Sequence, residues 1–187
     1  MYHLLGPVLV TSFKYLGSVI TDEGSKPELI CRIAQATARL KPIWIDKSIS
    51  LSSKIRLMRS LVTSIFLYAS ESWTLTAELQ RRIQAMEMKC YRKTLHISYK
   101  DHVTNEEVCA KIKQAIGLHE ELLTIIKRRK LRWYGHVFHS SSPAKTILQG
   151  TVKERRRQGR QKKMWKENIR EWTGLEFAQS KRAVENR

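Results

Sequence analysis

The chain has 187 residues, with 35 Lys and Arg against 17 Asp and Glu, and a net charge of +18. A hydrophobic fraction of 42% with only eight Gly and four Pro argues against a wholly disordered chain. The most apolar run, residues 61–69, is far shorter than the roughly 20 residues that a membrane-spanning helix needs. The excess positive charge predicts a polyanionic partner, either nucleic acid or an anionic membrane surface. Three cysteines without a secretion signal favour reduced thiols inside the cell.

The first forty residues predict extended structure followed by a helix. β-branched and aromatic residues surround Gly17 in residues 1–20 and favour strands. A polar turn at residues 22–25 leads to Pro27, which suits the first turn of a helix. We expect this helix to end at Pro42. Its predicted apolar stripe is Ile30, Ile33, Ala34, Thr37 and Leu40.

Three further helices are predicted before residue 118. Serines at positions 50–53 supply N-caps for the second helix. Its apolar stripe is Ile55, Met58, Val62, Ile65 and Ala69. The third helix is predicted to begin within residues 74–78 and to bury Leu79, Ile83, Met86 and Cys90. Thr104 and Glu107 fit a capping box that opens the fourth helix, which Gly117 ends.

The third helix also carries a basic stripe, formed by Arg82, Lys89 and Lys93 at spacings of seven and four residues. Such a stripe is either a solvated face or a surface that follows a phosphate backbone. The overall charge of the chain supports the second interpretation, and both stay open.

A longer helix is predicted over residues 119–139, with Leu123, Ile126, Trp133 and Val137 on one side. Residues 151–163 lack an apolar period and predict a flexible linker, and residues 164–172 predict a short amphipathic helix. The expected fold is therefore mainly α: a helical bundle with a short N-terminal β-hairpin and a basic, partly flexible C-terminal extension. The expected core includes Ile55, Met58, Val62, Ile65, Ile83, Met86 and Leu123.

Residues 127–170 contain fifteen Lys and Arg and two Glu, a net charge of +13 in 44 residues. Such a density of charge repels itself unless a polyanion neutralises it, and interspersed aromatic residues can stack on nucleobases. The alternative is a solvated basic tail or a nuclear import signal. Nucleic-acid binding and nuclear import both predict a location in the nucleus, with the cytoplasm as a second option. The aromatic residues in question are Trp133, Tyr134, Phe138 and Trp165. The predicted nucleic-acid-binding residues are Arg82, Lys89, Lys93, Lys127, Arg128, Arg129, Lys130, Arg132, Trp133, Arg155, Arg156, Arg157, Arg160, Lys162, Lys163 and Lys166.

No pattern for metal binding or catalysis stands out. Cys90, His96, His102 and Cys109 are spaced too widely for a zinc knuckle or finger. The sequence contains neither a Gly-x-Ser-x-Gly motif nor a phosphate-binding Walker loop, and its acids form no cluster suited to a two-metal site. We therefore predict no metal, no cofactor and no catalysis by this chain alone.

Four ordered segments resemble the region that follows the polymerase palm in reverse transcriptases of non-LTR (LINE-type) retrotransposons. They are FKYLGSVIT (residues 13–21), LYASESWTL (67–75), RRKLRWYGHV (128–137) and GRQKKMW (159–165). The resemblance covers roughly residues 12–174. The chain departs from the family pattern at Ala69 and Ser72, where Gly and Thr are usual, and at Gln161, where Pro is common.

The resemblance implies roles for four regions. Residues 1–24 are similar to the end of the palm, with a primer-grip hairpin formed by Phe13, Lys14, Tyr15, Leu16 and Gly17. Residues 25–103 are similar to the helical thumb that closes on a template–primer duplex. Residues 104–150 and 151–187 resemble the basic C-terminal extension.

The polymerase Tyr-x-Asp-Asp signature is absent from the sequence. The resemblance therefore implies a non-catalytic fragment that binds RNA, DNA or their hybrid. A separate chain that supplies the reverse transcriptase palm is a further partner that the resemblance implies. The alternatives are a domesticated DNA- or chromatin-binding module and a functionless, partly folded remnant.

Overall fold

The computed structural model describes residues 11–118, 120–139, 143–149 and 163–185. In this part of the chain the fold is mainly helical with an N-terminal hairpin, as the sequence predicts. None of the described helices is long and apolar enough to cross a membrane. The strands are β1 (Ser12–Tyr15) and β2 (Ser18–Thr21). The helices are α1 (Lys26–Ile45), α2 (Leu51–Leu67), α3 (Ala77–Thr94), α4 (Asn105–Ile116), α5 (Leu122–His139), α6 (Pro143–Gln149), α7 (Trp165–Thr173) and α8 (Phe177–Glu185).

The hairpin is joined by a two-residue turn in which Leu16 (φ 46°) and Gly17 (φ 82°) both adopt left-handed backbone conformations. Such a turn matches the twist of antiparallel strands, but it strains a residue with a side chain. Two side chains hold the turn: the Tyr68 hydroxyl donates to the Leu16 carbonyl, and Arg32 Nη2 donates to the Gly17 carbonyl at 3.1 Å. The hairpin is thereby fixed to the helical body.

Helix α1 differs from the prediction in both its end and its buried face. It continues three residues beyond Pro42. Its buried stripe includes an ion pair between Glu28 and Arg32 at 2.7 Å, so the helix is turned relative to the predicted stripe and Ile30 is 47% exposed. The carboxylate of Glu28 also accepts from the backbone N–H of Val19 at 2.6 Å. The buried residues of α1 are Glu28, Leu29, Arg32, Ala36 and Leu40.

The predicted helix starts are confirmed where a side chain caps the backbone. Ser50 accepts from the N–H of Ser53 at the start of α2, and Thr76 caps α3 in the same way. The capping box of Thr104 with Glu107 opens α4, and Gly117 ends it with φ 81°.

Helices α1 to α5 enclose the main core. Ile65, from the predicted set, is only partly buried, because Phe66 faces inward beside it. Ala69 was predicted to continue the stripe of α2 but lies beyond its end, at φ 57°. Residues buried as predicted are Ile55, Met58, Val62, Leu79, Ile83, Met86, Cys90, Leu123 and Ile126.

A second, smaller core joins α5 to the C-terminal helices. Tyr134 and Phe138 of α5 are buried against Ile169 of α7, with Phe177 of α8 packed beside them. Helix α7 confirms the predicted amphipathic helix near residues 164–172. The predicted flexible linker lies outside the described residues, apart from residue 163.

Candidate nucleic-acid interface

Helix α5 exposes positive charge that no acidic residue of the same helix offsets. The helix contains five Lys and Arg and no acidic residue. Arg128, Arg132 and His136 recur every four residues, so they lie on one face, and all three are exposed. Arg129 is exposed beside them, whereas the Lys127 side chain is half-buried with its Nζ 5.4 Å from the centre of the Trp172 ring.

Two of these arginines form ion pairs with carboxylates of the protein. Arg128 Nη2 lies 2.7 Å from Glu120 Oε2, and Arg129 Nε pairs with Glu71 in the short 3₁₀ turn Ser70–Ser72. No carboxylate in the described part of the chain lies within ion-pair distance of Arg132. Exposed ion pairs contribute only about 0–1 kcal/mol, so a phosphate can compete for both paired arginines.

A groove of about 460 Å³ runs between α5 and the segment that follows α2. Leu67 and Ile125 supply apolar lining, and Glu71 is the acidic residue of the lining. The residues that line it are Leu67, Glu71, Ile125, Arg128, Arg129, Arg132, Trp133 and His136.

Trp133 is the predicted aromatic residue that lines this groove. Its half-buried ring meets Trp165 of α7 edge to face, with ring centres 5.5 Å apart. The indole N–H of Trp165 donates to the Glu71 carbonyl at 2.7 Å, which fixes α7 against the groove wall. The expectation that Tyr134 and Phe138 stack on nucleobases is wrong, because both rings are buried in the second core.

Lys130, predicted to bind nucleic acid, is instead fully buried. Its ammonium donates to the Trp73 carbonyl and to Asn168 Oδ1, and it lies 4.5 Å from the centre of the Trp165 ring. Burial, with a smaller contribution from the positive charge of Lys163, lowers the pKa of Lys130 to about 7. A side chain enclosed in this way cannot reach a phosphate at the surface.

Asn168 is the residue at this junction that sequence reasoning missed. Its buried amide accepts from the Leu75 N–H at 2.8 Å and donates to the Leu75 carbonyl at 2.7 Å. One amide thus pairs with both polar groups of a single backbone residue, and it also accepts from Lys130. The signal available in the sequence was its position three residues after Trp165, within the apolar stripe of an amphipathic helix.

The predicted basic stripe of α3 is exposed along its length, at Arg82, Lys89 and Lys93. Arg82 pairs with Glu78 at 2.9 Å, and the ammonium of Lys93 lies 4.8 Å from the centre of the Trp44 ring. Of the three stripe residues, only Lys89 forms no ion pair or ring contact with another described residue. The role of this stripe in binding nucleic acid therefore stays a prediction.

The C-terminal basic residues divide into two groups. Lys163 pairs with Glu171, while Lys166 of α7 is exposed. The remaining predicted residues, Arg155, Arg156, Arg157, Arg160 and Lys162, lie outside the described residues.

The residues of the proposed primer-grip hairpin are exposed, and the Phe13 and Tyr15 rings stack with centres 6.3 Å apart. Lys14 and Leu16 are exposed beside them. Their similarity to a primer grip stays a prediction.

The thiol and imidazole groups considered for metal binding do not converge. Cys90 is buried, and burial raises the pKa of its thiol to about 12. Within the described residues no three His, Cys, Asp or Glu side chains are grouped so as to hold a metal ion.

The fold and this surface define a helical protein with an arginine-lined groove on α5. Comparisons of the chain with protein-family models, with curated proteins and with solved structures found no match. The similarity to reverse transcriptases of non-LTR retrotransposons therefore stays a prediction.

Proposed function

We propose that this chain binds RNA, DNA or their hybrid through backbone phosphates, as a non-catalytic protein derived from the C-terminal part of a non-LTR retrotransposon reverse transcriptase. The observation that carries the proposal is the exposed row of Arg128, Arg132 and His136 on α5, with Arg129 beside it. We assign no catalysis to the chain, so nucleotide incorporation in a primer-extension assay would contradict this proposal.

The spacing of the row supports contact with a phosphate backbone. Four helical residues rise about 6 Å, and alternate phosphates of one strand in a duplex are about 7 Å apart along the axis. Arginine presents paired N–H donors that match two phosphate oxygens. Contacts of this kind orient a protein on nucleic acid without reading its sequence.

The ion pairs of Arg128 and Arg129 do not oppose this function strongly. Each pair is partly solvent-exposed and contributes only about 0–1 kcal/mol, so exchanging the carboxylate for a phosphate costs little. Binding would exchange one anion for another, and Arg132, which has no carboxylate partner among the described residues, would gain a phosphate partner.

The test is a fluorescence-anisotropy titration of labelled RNA–DNA hybrid and duplex DNA across a salt series. If about six phosphates are neutralised, affinity falls by roughly three decades between 50 and 200 mM salt. The double variant Arg128→Gln/Arg132→Gln should bind less tightly. The slope of its log affinity against log salt concentration should correspond to about two fewer phosphate contacts.

The matched control is Arg39→Gln/Arg56→Gln, which removes two exposed arginines from α1 and α2, away from the groove. Equal losses in the two double variants would show that total charge, rather than the α5 face, determines binding. No binding at 50 mM salt would refute the proposal, and a strong preference for one base sequence would favour a sequence-specific DNA- or chromatin-binding module instead.

A further inference from the structure

We infer that the groove on α5 holds an unpaired nucleobase of a single-stranded nucleic acid, stacked on Trp133. This inference rests on the proposed function and adds the class of ligand. It predicts that single strands are preferred over duplexes at this site. The chemistry is shared by RNA and DNA, so both belong in the test.

The apolar lining of the groove suits a nucleobase better than it suits phosphate groups alone. Leu67 and Ile125 provide apolar surface, and Trp133 adds an indole ring beside them. A volume of about 460 Å³ is larger than a phosphate requires. In a duplex the bases are stacked inside the helix, so only a single strand can place a base there while its phosphates remain outside.

The arginines are placed to take the flanking phosphates. The α5 residues that line the groove lie within residues 125–136, which span about 16 Å along the helix. This length accommodates a few nucleotides of an extended strand. Arg128 and Arg132 lie on successive turns along this stripe, so a strand that follows the helix meets them one after the other.

The stacking ring is held in place before any ligand binds. Trp165 packs edge to face on Trp133, and its N–H is bonded to the backbone of Glu71. A ring fixed in this way loses little conformational freedom when a base stacks on it, which favours binding.

Glu71 acts in this arrangement as the anion that a phosphate displaces. Its carboxylate pairs with Arg129 of α5, and both residues line the groove. Its link to Trp165 uses the backbone carbonyl, so Glu71→Gln removes the charge without removing that bond. This variant should bind single strands up to about fivefold more tightly, the upper limit for the loss of one exposed ion pair.

The decisive comparison changes the ligand and leaves the protein intact. Single-stranded DNA and RNA are titrated beside strands of the same length and charge in which internal bases are replaced by abasic sites. We expect the base-containing strands to bind roughly tenfold more tightly for each stacked base. Trp133→Ala should abolish this difference, and Trp133→Phe should largely restore it.

Tyr99→Ala is the matched control, because it removes an aromatic ring that is 82% exposed and does not line the groove. Equal affinity of base-containing and abasic strands for the unaltered protein would overturn the inference and leave backbone binding in place. An unchanged preference in Trp133→Ala would also overturn it. Failure of every nucleic acid to bind at low salt would refute the proposed function as well, which separates the two outcomes.

Discussion

Lys130 shows how one residue changes the meaning of a basic motif. It lies in the middle of a run of cations, yet its side chain is enclosed by the rings of Trp165 and Trp172 and by oxygen atoms of Trp73 and Asn168. These partners are uncharged. The lowered pKa, about 7, therefore reflects mainly the cost of burying an ammonium that has no carboxylate partner among the described residues.

The first prediction is that Lys130 makes stability rise with pH between about 7 and 9. The folded-state pKa is about 7 and the unfolded value is near 10, so the unfolded chain binds more protons in this interval. The slope for one proton is about 1.4 kcal/mol per pH unit. Urea denaturation at pH 7, 8 and 9 measures it, and Lys130→Met should have a smaller slope.

The control for this experiment is Lys166→Met, which removes an exposed lysine of α7 and should keep the slope of the unaltered protein. The interval ends near pH 9 because the buried groups Cys90 and Tyr91 have raised pKa values. The folded state holds their protons longer than the unfolded chain does, so their contribution to stability is lost above that pH. The same slope in Lys130→Met and in the unaltered protein would contradict the prediction.

At the scale of elements, Asn168 helps to attach α7 to the body, beside the Trp165 N–H bond to the Glu71 carbonyl and the packing of Ile169. Its amide satisfies both backbone groups of Leu75, which follows the 3₁₀ turn and is itself fully buried. Buried backbone groups must be paired, and here a side chain replaces a strand partner. The position of the groove wall therefore depends on this bond, because Trp165 lies on the same helix.

The second prediction concerns Asn168→Ala. The substitution leaves two backbone groups of Leu75 without partners, at a cost of about 1–3 kcal/mol for each. We expect α7 and α8 to detach before the main core unfolds. Hydrogen exchange followed by mass spectrometry should show lost protection at residues 73–75 and 165–185, with α2 to α4 unchanged.

Lys166→Ala, on the exposed side of α7, is the control and should keep full protection. Uniform loss of protection through α2 and α4 in Asn168→Ala would mean that the two cores unfold together. That outcome would contradict an independently docked C-terminal element.

Local sequence signals predicted most helices and strands correctly, whereas the buried face of α1 was mispredicted because of buried polar groups. Thr76 and Thr104 mark helix starts because a hydroxyl caps the backbone, a rule that acts within four residues. The face of α1 was wrong because Glu28 and Arg32 are buried as a pair, and hydrophobic periodicity assigns charged residues to the surface. The sequence names the α5 arginines as candidates for nucleic-acid binding, which stays a prediction. Glu71 could not be assigned to the groove from sequence because its contact with Arg129 spans 58 residues.

At the scale of the whole molecule, the 35 Lys and Arg outnumber the 17 Asp and Glu, which leaves a net charge of +18. Self-repulsion of this kind destabilises a compact state, and dissolved salt screens it. High salt also weakens binding to nucleic acid, because counterions released into a more concentrated salt solution gain less entropy. Stability and affinity should therefore respond to salt in opposite directions.

The last prediction follows from this opposition. The melting temperature of the free protein should rise as NaCl increases from 20 to 500 mM, because screening relieves more repulsion among 35 cations than it removes attraction to 17 acids. A single-stranded oligonucleotide should raise the melting temperature at 20 mM NaCl and should have little effect at 500 mM. Circular dichroism melts at both salt concentrations, with and without the oligonucleotide, test both statements. A melting temperature that falls with salt would show that exposed ion pairs, such as Arg128 with Glu120, stabilise the fold more than its net charge destabilises it.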